Sequence, residues 1–210
     1  MQGRRTQAER SEQTRDRVLT AAIAVMSKRG YAGFRVTEVA EVAGVSIGAQ
    51  LHHFPTKHVL IAAALTRIFM DARIAAQEHV SAIQRAPGIN MAQLVDLIVA
   101  DATSFYFSEN FRFALDMSLA ASRDIELANT ALEIVSQQGP PMEEIWINSL
   151  KEAGVGDKLA RDTLSFLWSV IRGLVIRALS VDEPERQRRV IIMARDMMLD
   201  HINLAHAADG

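Results

Sequence analysis

Residues 36–60 read VTEVAEVAGVSIGAQLHHFPTKHVL and carry two short helices joined by a tight turn. Thr37 suits an N-cap, because its hydroxyl can accept from an unpaired N–H of the first helical turn. Glu38 then places negative charge where the helix dipole favours it. Val36, Val39, Ala40 and Ala43 fall at helical spacing and form an apolar face. Gly44 suits the left-handed residue that ends a helix at little steric cost. Val45 can plug the gap between the helices, and Ser46 can cap a second helix running toward His53. Pro55 stops that helix, since proline disfavours the helical conformation in the residue before it. A helix pair with a glycine turn is the shape of a helix-turn-helix, whose second helix can enter a DNA major groove. Gly48 and Ala49 keep one side of that helix small. The same pattern also fits two surface helices joined by a generic turn.

Outward from this stretch the chain reads as helical throughout. Residues 1–13 are polar and aperiodic and are expected to form a flexible arm, with Arg4, Arg5 and Arg10 within reach of phosphates. A helix is expected from about Thr14 to Arg29, with Val18, Leu19, Ala22, Ile23 and Met26 on one face. The turn Gly30–Gly33 follows. A long helix starts near Thr56 and runs to about Arg85, where Pro87 and Gly88 end it. Further helices are expected from Asn90 to Phe107, Asn110 to Ala121, Ile125 to Gln138, Met142 to Ala153, Asp157 to Leu179, and Glu185 to Ala205. Breaks fall at Gly139-Pro140-Pro141, Gly154–Gly156 and Val181–Pro184. The expected fold class is all-α, with about nine helices: a helix-turn-helix domain over 14–60 and a larger helical domain over 61–210, to which the ligand pocket and dimer readings below belong.

Composition narrows the function. The 210 residues are 49% hydrophobic, enough for a substantial core. No cysteine is present, which excludes disulfides and thiol catalysis. The N-terminus has no apolar run of the signal-peptide kind, and the most apolar stretch, Leu164 to Leu179, is interrupted by Arg172 and Arg177. A cytoplasmic protein is the expectation. The net charge of −2 hides an asymmetry. Residues 1–60 hold nine Lys or Arg against five Asp or Glu, and residues 61–210 hold 14 against 20. A basic front end beside an acidic body suits a protein that meets a polyanion with one end only.

The run Thr37 to Ser46, the later Phe54-Pro55-Thr56-Lys57, and the glycine-aromatic turn Gly30 to Phe34 resemble the N-terminal domain of TetR-type transcriptional regulators. The resemblance covers roughly residues 14 to 62. It implies a DNA-binding regulator, a repressor released from a palindromic operator by a small-molecule ligand, acting as a homodimer without a cofactor. The family often has Thr-Leu-Tyr where this chain has Ala49-Gln50-Leu51. The usual tyrosine, which contacts phosphate in many members, is here a leucine that cannot donate a hydrogen bond.

The candidate DNA-binding residues are Thr37, Ser46, Ile47, Gly48, Ala49, Gln50, His52, His53 and Lys57. Ile47 and Ala49 can offer only apolar contact, for example with thymine methyls. Gln50 can pair with adenine if exposed, or be buried, since an apolar residue is common there. Thr37 and Lys57 suit contacts to the DNA backbone. Phe105, Phe113, Met117, Trp146, Phe166 and Trp168 are candidates for an apolar ligand pocket, with Arg172 as polar anchor. Plain core packing accounts for each aromatic and Met as well, and Arg172 can snorkel.

The helix at 157–179 bears Leu164, Leu167, Trp168, Ile171, Leu174, Val175 and Leu179, apolar over much of its circumference. Burying that excess favours pairing it and the helix at 185–205 with their twins about a two-fold axis. No glycine-rich phosphate loop or Gly-x-Ser-x-Gly elbow is present, which argues against an enzyme. His52, His53 and His58 are the only close histidine group and fall short of a metal site, while His201 and His206 lie near the C-terminus. A helical protein-interaction scaffold that has lost DNA binding is the alternative.

Overall fold

The computed structural model describes residues 6–85, 88–125, 127–129 and 142–208, with the side chains of 83–85, 206 and 208 outside that description. Nine helices have defined ends among the described residues: α1 Gln7–Gly33, α2 Val36–Ala43, α3 Ile47–His53, α4 Lys57–Arg85, α5 Met91–Tyr106, α6 Glu109–Ala121, α7 Met142–Glu152, α8 Asp157–Ala178 and α9 Pro184–Ala208. Residues 125 and 127–129 are helical as well, and no strand occurs among the described residues. The all-α expectation holds. Most of the helix expected over 125–138, the Gly139-Pro140-Pro141 break, Arg4, Arg5, Pro87 and the His206 side chain lie outside the described residues. None of the described helices is long and apolar enough to cross a membrane.

The N-terminal segment corrects one expectation. Residues 7–13, read as a flexible arm, form the first two turns of α1. The cause is a capping box: Thr6 Oγ1 accepts from the Glu9 N–H at 3.2 Å, and the Glu9 carboxylate accepts from the Thr6 N–H at 2.7 Å. At the other end Gly30 breaks the helix with φ 67°, a conformation a side chain would strain. The break falls where the sequence placed it, after Arg29.

Two compact units emerge. The first takes in the described residues of Met1–Met70 and Glu109–Gly139, the second those of Asp71–Ser108 and Pro140–Gly210. An expected boundary at residue 60 does not coincide with this division. The first part of α4 belongs with the helix-turn-helix, and so does α6, which packs on α1. The Asp116 carboxylate of α6 accepts from the Tyr31 N–H, and Ser27 Oγ lies 3.0 Å from the Glu109 carbonyl oxygen.

In the first unit α1 packs against α2, α3 and α6. Val18, Ala22 and Met26 of α1, Val39 and Ala40 of α2, and Leu60, Ala64 and Ile68 of α4 are buried. In the second unit α8 packs against α5, α7 and α9, and α9 also packs on α5. Leu164, Leu167, Trp168, Ile171, Leu174 and Val175 of α8 are all buried within this single chain. Three neighbouring helices cover these six without a partner copy, whereas Leu179, read with them, is 58% exposed. The apolar surface left over is Leu179 together with Phe166 and Ile176 and, on α9, Ile192, Met193 and Met197.

Candidate nucleic-acid interface

The turn between α2 and α3 is built by its backbone. Gly44 takes φ 63°. The Gly44 N–H donates to the Glu41 carbonyl and the Val45 N–H to the Ala40 carbonyl, each at 3.0 Å, closing the helix end in a Schellman pattern. Arg17 of α1 adds a clamp that the sequence did not announce. Its guanidinium donates to the Ala43 carbonyl at 3.0 Å through Nε and to the Gly44 carbonyl at 2.7 Å. It thereby neutralises the negative end of α2. A cation one helix away in sequence carries no local signal for such a role.

Ser46 caps α3 as expected, its Oγ accepting from the Ala49 N–H at 3.1 Å. Thr37 does not cap α2. The helix begins two residues earlier than a Thr37 cap would allow, at Val36 after an extended Arg35, and Thr37 stands exposed in its first turn.

Buried positions on α3 and just after it are Gln50 and Phe54, with Ala49 and His53 half-buried. Gln50 is only 1% exposed and its amide donates to the Val36 carbonyl at 3.1 Å. It ties α3 to α2 and cannot reach a base, which resolves the choice left open by the sequence. The opposite stripe, Ile47, Gly48, Leu51 and His52, faces solvent. Ile47 is 48% exposed and Leu51 42%, large apolar surfaces on so short a helix. The His52 and His53 rings meet edge to face with centroids 5.3 Å apart. Among the described residues no group of three or more His, Asp or Glu gathers to hold a metal ion.

Lys57, expected on the DNA backbone, bonds within the chain. Its Nζ donates to the Tyr31 carbonyl at 3.2 Å and sits 4.4 Å from the Tyr31 ring centroid. Burial, and then the Arg35 cation, hold its pKa below the usual lysine value. The cation near the start of α4 is explained from within the chain.

The candidate ligand residues divide between the units. Phe113 and Met117 are buried in the first. In the second, Trp146 is wholly buried and donates from its indole nitrogen to Asp101 at 2.9 Å. The other Asp101 oxygen lies 3.0 Å from His79 Nδ1. Asp101 was missed by sequence reading, yet it occupies the stripe of Leu94 and Ile98, where a carboxylate is out of place. The Trp168 ring meets Tyr106 edge-on with centroids 6.1 Å apart. Arg172 spans these two residues: its guanidinium lies 5.6 Å from the Tyr106 ring centroid and Nε donates to the Trp168 carbonyl at 3.3 Å. Trp168 Nε1 and Thr103 Oγ1 are buried without a hydrogen-bond partner among the described residues. Phe105 is half-buried, while Phe166 lines a separate hollow of about 290 Å³ with Thr163, Met197, Met198 and His201.

A capped three-residue turn between α2 and α3, with one face of α3 buried and the other bare, is helix-turn-helix geometry. Residues 18–64 match the family model described as bacterial regulatory proteins, tetR family. The chain is 34% identical over 187 residues to the HTH-type transcriptional regulator CymR of Pseudomonas putida, spanning 89% of this chain and 90% of that one. Over 94 residues it is 33% identical to the HTH-type transcriptional repressor KstR of Rhodococcus jostii, 44% of this chain and 40% of the relative. In fold it resembles a crystal structure assigned to the TetR family from Mesorhizobium loti, with TM-score 0.71, 18% identity, and 91% and 97% of the two chains covered. With the helix-turn-helix in place and a regulator matched along nearly its whole length, the chain belongs to the TetR family of bacterial transcriptional regulators.

Proposed function

We propose that this regulator is a repressor that binds a pseudo-palindromic operator as a homodimer, one α3 in each half-site, and leaves it when a small molecule occupies the second unit. The observation that carries the DNA reading is the bare stripe Ile47, Gly48, Leu51 and His52 on a helix whose other face is pinned by Gln50. Half-sites in such dimers lie about 34–36 Å apart or at multiples of this. The residues at the interface are Ser46, Ile47, Gly48, Leu51 and His52, with Thr37 and His53 at its margin. Exposed Phe166, Ile176, Met193 and Met197 on α8 and α9 support pairing of these helices with their twins. The unpartnered Trp168 indole N–H and Thr103 hydroxyl support a ligand that carries a hydrogen-bond acceptor, because a buried donor without a partner costs about 1–3 kcal/mol.

The test is binding of purified protein to duplex fragments flanking its own coding sequence at two salt concentrations. Affinity should fall steeply with salt at one fragment, as counterion release requires. Absence of salt-sensitive binding to every fragment rejects the reading in favour of an interaction scaffold.

A further inference from the structure

We infer that this protein reads its DNA site through thymine C5-methyl groups, with Ile47 and Leu51 as the specificity-determining residues. The inference rests on the proposed DNA reading and adds the chemistry of the site. Specific major-groove readout uses bidentate Arg or Lys on guanine, Asn or Gln on adenine, acidic groups on cytosine, or apolar contact with the thymine methyl. Among the residues of α3, Ile47–His53, there is no Arg, Lys, Asn, Asp or Glu. Its one amide, Gln50, is buried and bonded to the Val36 carbonyl. The Ser46 oxygen accepts from the Ala49 N–H, which leaves its O–H as the one side-chain donor at the start of the helix. Of the exposed stripe, only His52 carries a hydrogen-bonding side chain.

Apart from His52 and the Ser46 hydroxyl, what remains is apolar. Ile47 and Leu51 are four residues apart, so they share a face, about 6 Å apart along the axis. Between them Gly48 presents no side chain, and a Cβ built there would meet no atom of the chain within 4 Å. The result is an apolar ridge with a gap beside it. The only apolar group on the major-groove edge of a base pair is the thymine methyl. A 6 Å spacing spans about two base steps at 3.4 Å each, so one α3 can meet methyls on thymines within about two steps of each other.

The experiment selects binding sites from a random duplex library with the purified full-length protein. The selected site is then resynthesised with deoxyuridine at each thymine in turn, which removes the methyl and leaves every hydrogen-bonding group in place. Two thymines per half-site, within about two steps, should each lose about fourfold in affinity on that change, the worth of one buried methyl-sized group. Leu51→Ala should abolish the uracil effect at one of them and Ile47→Ala at the other, with salt dependence unchanged. Sites that are selected yet bind equally well with uracil at every position overturn the methyl readout and leave the regulator standing. A library in which nothing is enriched sinks the DNA reading itself.

Discussion

The Lys57 ammonium at the start of α4 donates to the Tyr31 carbonyl oxygen at 3.2 Å, so the turn after α1 is fastened to the helix that follows the helix-turn-helix. The N–H of the same tyrosine donates to Asp116 of α6. Two helices, α4 and α6, thus hold one residue of α1 by its two backbone groups. Replacing Lys57 with Met keeps the apolar stem and deletes the charge-assisted bond, and should lower stability by about 1.5–3 kcal/mol. A lysine that bound phosphate would instead contribute about 0.9 to the salt slope of DNA binding. Chemical unfolding together with affinity at several salt concentrations separates the two. Reduced stability with an unchanged slope is expected, and an unchanged melt with a shallower slope would return Lys57 to the DNA.

Asp101 is the polar centre of the second unit, accepting from Trp146 and facing His79. Asp101→Leu removes the acceptor and leaves the buried indole N–H unpaired, at a cost of about 1–3 kcal/mol. Asp101→Asn retains an oxygen for the indole and should lose less. Equal losses in the two variants, measured by denaturant unfolding, would show that the Trp146 bond contributes nothing distinct from shape.

Tyr106 supplies a pH test. Burial pushes its phenol up to about 12 from 10.0, opposed by the Arg172 cation above its ring and aided by Glu143. A raised folded-state pKa means that the folded chain keeps a proton the unfolded chain gives up. The contribution is complete below pH 10 and is lost as pH rises from there through about 12. Wild type should therefore lose stability over that window faster than Tyr106→Phe, in which no phenol ionises. Parallel decline of the two proteins in unfolding midpoint would remove Tyr106 from the account.

The helix-turn-helix was legible because its signals are local. Gly44, Ser46 and Pro55 each act on the backbone within a few residues, and the structure uses Gly44 and Ser46 as the spacing implied. Thr37 failed as a cap because the cap falls two residues earlier, at Arg35, a shift that the Val and Ala pattern does not forbid. Arg17, Lys57 and Asp116 carry roles fixed by residues 26 to 85 positions away. No periodicity encodes such partners, so the bond from Lys57 to the Tyr31 carbonyl has no signal in the sequence. The burial of α8 went wrong for the same reason, since its circumference was readable and the number of helices around it was not.

Gly48 offers two measurements with opposite signs. In a free helix, exchange of glycine for alanine gains about 0.5–1 kcal/mol through the smaller entropy loss on folding. The chain puts nothing within 4 Å of the added methyl, so Gly48→Ala should raise the melting temperature slightly. The same methyl fills the gap beside the Ile47–Leu51 ridge, where the proposed DNA reading brings the duplex close. Affinity for the selected operator should then fall at least tenfold while affinity for unrelated duplex, which is held by phosphate contacts, stays nearly constant. A variant that is more stable and binds the operator as well as wild type would mean that α3 meets DNA, if at all, with another face.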